Sequence, residues 1–206
     1  MVLNTICRRL VLGAFVSLLP LVAGAAAEIN QPAPGFAAVG ADGSPISLDA
    51  FKGKTVVLEW TNHDCPFVIK HYDSGNIPGL QKTAAAKDVV WLQVISSAPG
   101  TQGHVDGATA LKLNAARGAA PTGVVLDPDG RIGKSYGAQT TPHLYIVDAT
   151  GTLVYKGGID SIPSNKQADI ARAENYVSTA LAELQAGKRI SKASTQPYGC
   201  SVKYGS

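Results

Sequence analysis

The stretch Thr55-Val56-Val57-Leu58-Glu59-Trp60-Thr61-Asn62-His63-Asp64-Cys65-Pro66-Phe67 decides the fold. Its first six residues are β-branched and apolar with one carboxylate, the pattern of a buried strand. Pro66 fits the first position of a helix, where its missing N–H breaks no bond and its fixed φ is already helical. The sequence therefore predicts a strand that hands over to a helix at Cys65. There the sulfur faces the unsatisfied N–H groups and positive dipole end of the helix, which favour thiolate over thiol. A reactive cysteine is the leading reading, set against that of a small buried hydrophobe.

Working outward, Glu28 to Phe36 is too rich in proline for a helix and reads as an extended lead-in. Ala37-Ala38-Val39 and Ile46-Ser47-Leu48 flank the turn residues Gly40-Ala41-Asp42-Gly43, which predicts a hairpin. After Pro66 the helix is expected to break around Ser74-Gly75-Asn76 and resume from Pro78 to Lys87. Strands are expected at 89–95, 123–127, 144–147 and 153–155, the last two as an antiparallel hairpin, with helices over 108–116 and 130–136. Ile170, Ala173, Val177, Ala180, Leu181 and Leu184 recur at helical spacing, so 166–186 is predicted to be one amphipathic helix. The order implies an α/β fold: a central mixed β-sheet flanked by helices, with an N-terminal β-hairpin extension. Residues 187–206 form a C-terminal tail with no period.

Arg8 and Arg9, the apolar run Leu10–Val22 and the small residues ending at Ala27 read as a secretory signal peptide over 1–27. The arginine pair also admits a twin-arginine export signal, though a simple basic start explains the same residues. Cys7 has no lipid-attachment pattern around it. The expected mature protein is periplasmic or secreted, with no membrane span after cleavage. Removal of Arg8 and Arg9 leaves 16 basic against 15 acidic side chains, a balance that gives no support to nucleic acid as a partner. It also leaves two cysteines, Cys65 and Cys200, in an oxidising compartment, where they serve as a staple, a catalytic couple or separate thiols.

Gln31-Pro32-Ala33-Pro34-Gly35-Phe36, Ile46 to Lys54, Asp64-Cys65-Pro66-Phe67-Val68 and Thr141-Pro142-His143-Leu144-Tyr145 together resemble exported redoxins, on the alkyl hydroperoxide reductase and thiol-specific antioxidant side of the thioredoxin-fold superfamily. The resemblance spans residues 28–186. It implies a thioredoxin-like fold and a cis Thr141-Pro142 bond, which would hold the Thr141 backbone extended beside Cys65. It further implies a thiol-dependent oxidoreductase in which Cys65 attacks a peroxide or a protein disulfide, with an external thiol reductant and no cofactor. Two departures stand out. Val68 replaces the second cysteine of Cys-x-x-Cys, and Thr61 sits four residues before Cys65 where peroxiredoxins space it three. Thr141-Pro142 also stands where the peroxide-orienting arginine aligns.

The candidate catalytic set is therefore Cys65, Cys200, Thr61, Thr141 and Pro142. Thr61 either donates its hydroxyl to the sulfur or caps local backbone. Asp64 is a candidate helix cap whose charge opposes the thiolate, and His63 offsets it if its ring turns to the sulfur. His63, Asp64, Cys65, His71 and His143 are the residues from which a copper or zinc site would be built, but the second thiol of the exported copper chaperones is absent; no metal is assigned. Cys200 is expected to form a reversible disulfide with Cys65. The tail can span about 46–50 Å from Ala186, and its tyrosines and Val202 suit docking on a surface. The competing class is a non-catalytic binding module, for a metal or a protein partner, with a structural Cys65–Cys200 bond.

Overall fold

The computed structural model describes residues 26–205, so the expected signal sequence lies outside the described residues except for its last two positions. Among the described residues nine strands and five α-helices follow one another: β1 (Ala37–Gly40), β2 (Pro45–Ser47), β3 (Val56–Trp60), α1 (Pro66–Asp73), α2 (Asn76–Ala85), β4 (Val90–Ile95), α3 (Gly107–Ala116), β5 (Gly123–Leu126), α4 (Arg131–Tyr136), β6 (Thr140–Thr141), β7 (His143–Val147), β8 (Leu153–Gly157), α5 (Tyr176–Gln185) and β9 (Cys200–Ser201); the short strands β6 and β9 add to the seven strands the sequence predicts. Seven of the strands form one mixed sheet in the order β2-β1-β5-β4-β3-β7-β8. β3, β4 and β5 run parallel at its centre, and β1 and β7 join antiparallel on either side. The hairpin and the mixed sheet are as the sequence predicts.

Alternation along the central strands splits the core in two, because successive side chains of a strand point to opposite faces. Val56, Leu58, Trp60, Leu92 and Val94 pack on one face with Ile132 and Tyr136 of α4. Val57, Trp91, Leu144 and Ile146 pack on the other with Val68 and Tyr72 of α1, Ile77 of α2 and Val177 and Leu181 of α5. Each fully buried Leu or Val contributes about 1.5–3 kcal/mol relative to exposure, so β3, buried at all five positions, firmly fixes the strand end that leads to Cys65. Gly75, at φ 73°, separates α1 from α2, as the Ser74-Gly75-Asn76 punctuation implies.

Two expectations about the second half need correction. The periodic run 166–186 is not one helix; it divides into a 3-10 turn at Gln167–Arg172 and α5. Asn175 caps α5 by accepting from Ser178 N at 2.9 Å, and Glu174 is drawn off the helical path by Ser161, whose N–H donates to Glu174 O and whose Oγ accepts from Glu174 N. The aperiodic tail, in turn, is laid down as a strap. Thr195 N donates to Lys156 O at 3.1 Å along the outer edge of β8, and β9 then pairs antiparallel with β6.

Candidate functional site

β3 and β7 pair with Trp60 opposite His143. Continuing that antiparallel register beyond Trp60 carries the turn at 61–65 alongside Pro142 and Thr141. Asn62 shapes the turn: its Oδ1 accepts from Asp64 N at 2.9 Å and its backbone O from Cys65 N at 3.1 Å. Cys65 itself is the N-cap of α1, extended at φ −79° and ψ 121°, with Pro66 in the first helical turn. Its residue is wholly buried, and its Sγ donates to Thr141 O at 3.1 Å. The Thr141-Pro142 bond is cis, as the resemblance implies.

The strap covers this junction. Thr141 pairs with Cys200 and Thr140 with Ser201, Val202 N donates to Gln139 O at 2.9 Å, and Ala98 N donates to Lys203 O at 2.8 Å. Both cysteines are free thiols and converge on Thr141. The Cys200 thiol is pushed up to about 12, first by burial and then by its hydrogen bond with Cys65 and the charge that Cys65 would carry.

Two tyrosines fasten the strap on either side of Cys200. Tyr204 lies over Gly130 and Gly133, where any Cβ would strike its ring, and donates to Ala138 O at 2.8 Å. Tyr198 reaches further in: its hydroxyl donates to Asp160 Oδ1 at 2.5 Å and lies 3.2 Å from His71 Nε2. Asn76 Nδ2 sits 2.8 Å from His71 Nδ1. With the phenol proton on Asp160 and the amide donating to Nδ1, His71 carries its proton on Nε2 and donates to the tyrosine oxygen. Burial, and next the charge of Lys70, lower the His71 pKa to about 4, so the ring is neutral. Lys70 Nζ donates to Ser164 O at 2.9 Å and stands 3.5 Å from Asp160 Oδ2, both side chains being buried. Between Tyr198 and Cys200, Gly199 has φ 138° and passes so close to Thr141 that a Cβ would run into its carbonyl oxygen.

The redoxin family model matches residues 28–176. The chain belongs to the redoxin family. Solved structures similar to this redoxin include an uncharacterized conserved protein from Geobacillus kaustophilus, at 24% identity over 86% of this chain and 93% of that one with a TM-score of 0.72. A hypothetical protein from Sinorhizobium meliloti matches at 19% identity over 88% and 97%, TM-score 0.73. The thioredoxin domain of a thiol-disulfide oxidoreductase from Bacteroides vulgatus matches at 19% over 70% and 96%, TM-score 0.51. At these identities the likeness is one of fold. No curated protein matches the chain.

Of the residues singled out from the sequence, Cys65, Cys200, Thr141 and Pro142 are brought together and Thr61 is not joined to them. The Thr61 hydroxyl is buried without a hydrogen-bond partner, bonding neither the sulfur nor local backbone. It lies against a cavity of about 10 Å³ shared with Asn62 and Gly103. Asp64 does not cap α1, because the chain enters the helix one residue later, at Cys65; instead it is exposed and pairs with His63 Nε2 at 3.3 Å. His71 turns to Tyr198 and His143 to Tyr145. Among the described residues no three of His, Cys, Asp or Glu gather at metal-binding distance, and no helix is long and apolar enough to cross a membrane.

The sequence reading missed Lys70, Asp160 and the polar floor under α1. Lys70 and His71 sit between Val68 and Tyr72 and are as buried as they are, a charge placed on an apolar face that signals a partner elsewhere in the chain. Glu59, also buried, accepts from Tyr72 OH at 2.6 Å and Trp91 Nε1 at 2.7 Å. Burial raises its carboxyl pKa against those bonds. A lone carboxylate inside an apolar strand was its only sequence signal.

Proposed function

We propose that this redoxin is an exported thiol–disulfide oxidoreductase in which Cys65 is the nucleophile and Cys200 the resolving thiol. The observation that carries this reading is the Thr141–Cys200 pairing, which seats a second thiol beside Cys65 although the helix offers none at position 68. Cys65 thiolate attacks one sulfur of a substrate disulfide, forming a mixed disulfide and releasing the other sulfur as thiolate. Cys200 then attacks the Cys65 sulfur, releasing the second substrate thiol and leaving Cys65–Cys200 oxidised. An external thiol reductant restores the pair, taking up the oxidising equivalents as its own disulfide. Thr141 contributes through its backbone. Its carbonyl accepts the Cys65 S–H in the resting dithiol.

A disulfide suits the site better than a peroxide. Arg117 is bonded to Asn114 and stacked on Tyr72, Arg131 is paired with Asp129 and Arg172 with Asp169, and the Thr61 hydroxyl makes no bond to the sulfur. The loss of one well-placed donor to a developing charge costs on the order of 10²–10³ in rate. The secretory signal read in the sequence over 1–27 supports a periplasmic or secreted setting for this chemistry.

The test is nonreducing peptide mapping of the mature protein after oxidation, together with turnover of a model protein disulfide. The expected result is a Cys65–Cys200 bond reversed by glutathione, and turnover lost in Cys65→Ser. Cysteines that remain separately alkylatable after oxidation would remove Cys200 from the mechanism. A bond that forms while wild type and Cys65→Ser are equally inert would favour a binding module with a structural staple.

A further inference from the structure

The strap does more than carry a thiol. Cys65 is wholly buried beneath it, so under the reading above a protein disulfide reaches the sulfur only when β9 has left β6. Departure of the strap empties a shaped cavity. Its walls are the Phe67 ring, set edge-on to Tyr198 with centroids 5.9 Å apart, the Lys70 ammonium 5.6 Å from the Tyr198 ring centroid, and the polar ends of His71 and Asp160. With the strap in place Asp160 is 3% exposed, and its Oδ2 lacks a hydrogen-bond partner. Without Tyr198, Oδ1 keeps only the Ile162 N–H, at 3.1 Å. A carboxylate left short of donors in this way accepts a new donor of the same reach.

We propose that this cavity is a recognition pocket for a tyrosine placed two residues before the reacting cysteine of a protein substrate, with a glycine between them, and that the strap occupies the pocket in the resting state as a built-in mimic of that substrate. This rests on the assignment of Cys65 as the nucleophile. The spacing is fixed by the strap itself. With the cysteine opposite Thr141, the residue before it runs against the Thr141 carbonyl, where no Cβ fits, and the residue before that enters the cavity with its hydroxyl on Asp160. The partner is thus an extended Tyr-Gly-Cys segment that adds to β6 as a short strand, the backbone supplying affinity and the phenol specificity. Substrate and strap alternate in one seat. The strap has the advantage of tethering, which gives it a high effective concentration. A substrate holds the seat once its mixed disulfide with Cys65 tethers it as well.

The test uses a nonapeptide with the sequence of residues 196–204, its cysteine carried as a mixed disulfide with thionitrobenzoate. Attack by Cys65 thiolate on the peptide sulfur forms the Cys65–peptide disulfide and releases thionitrobenzoate anion, which is read by its absorbance; the Cys65 proton goes to solvent. The protein is the full mature chain as Cys200→Ser, so that nothing resolves the product, and as Cys200→Ser with Tyr198→Ala, so that the strap does not compete for the cavity. In the second-order regime, the peptide with tyrosine is expected to react about 10–100-fold faster than its alanine version, the value of a hydrogen bond to a charged acceptor plus ring burial, with the phenylalanine version between. Asp160→Asn should bring the tyrosine and phenylalanine peptides to within about twofold of one another. Rates equal within twofold for all three peptides in both backgrounds, while Ellman's reagent labels Cys65 readily, would overturn the pocket and leave the nucleophile standing. A Cys65 that reacts with neither the peptides nor Ellman's reagent would overturn both.

Discussion

Cys65 and Cys200 meet at one residue, Thr141, but are held by different means. Cys65 sits where a strand buried at every position enters a helix, and its place follows from contacts that also hold the domain together. Cys200 sits on two residues of strand pairing, fastened by Tyr198 and Tyr204 to groups 38 and 66 residues away in sequence. The difference teaches that two neighbouring thiols can be held with separate stabilities. A fixed sulfur needs the global fold, whereas a sulfur that must come and go needs anchors that release without unfolding anything.

The largest expected effect tests whether the two regions are separate at all. Asp160→Ala removes the partner of Tyr198 and also leaves the buried Lys70 ammonium without its carboxylate, so it should cost about 3–5 kcal/mol of global stability, measured by urea unfolding. A loss under 1 kcal/mol would mean that Lys70 does not depend on the carboxylate and that Asp160 serves the strap alone. Leu58→Ala, by contrast, lies only in the core. It should cost about 2–5 kcal/mol through cavity formation, with hydrogen exchange at 198–203 no faster than the global opening it causes.

Acid should loosen the two regions together. His71 has its folded pKa lowered to about 4 and faces Lys70, Asp160, Tyr198 and Asn76. Between pH 6.5 and 4 the unfolded state therefore binds more protons at this residue, and stability falls as pH falls. The stabilisation is fully present above 6.5, and its slope is about 1.4 kcal/mol per pH unit inside that window. His143, lowered to about 3, acts in the same direction, while the raised carboxyl of Glu59 acts against it. The difference in slope between wild type and His71→Gln isolates the His71 share, and identical slopes would show that His71 is not neutral in the fold.

The smallest effect is the most local. Tyr198→Phe keeps the ring and removes the bond accepted from His71 and the bond donated to Asp160, the latter worth about 1.5–3 kcal/mol. That loss should appear as amide exchange about 10–100-fold faster in 198–203 and quicker labelling of Cys65, with the unfolding midpoint unmoved. A lowered midpoint instead would make the strap part of the cooperative core.

By itself the sequence determined most of the elements and the place of Cys65 where a strand enters a helix, because those depend on neighbours: β-branched runs, Pro66 after Cys65, Gly75 between two helices. It misjudged 166–186, where the helical period of Ile170, Ala173 and Val177 is real but Ser161 and Asn175 supply competing hydrogen bonds that end one turn and start the next. It pointed to Tyr198, Gly199 and Cys200 as a docking composition without locating their seat. What only the tertiary structure decided is which groups complete one another across the chain: Lys70 with Asp160, His71 with Tyr198, Gly199 with Thr141, and the unbonded hydroxyl of Thr61. Local pattern records burial and backbone preference. The partner of a buried charge or phenol is chosen by the three-dimensional closeness of segments some 40 to 130 residues apart, because desolvation makes every unpaired polar group costly and only the folded chain brings its complement within reach.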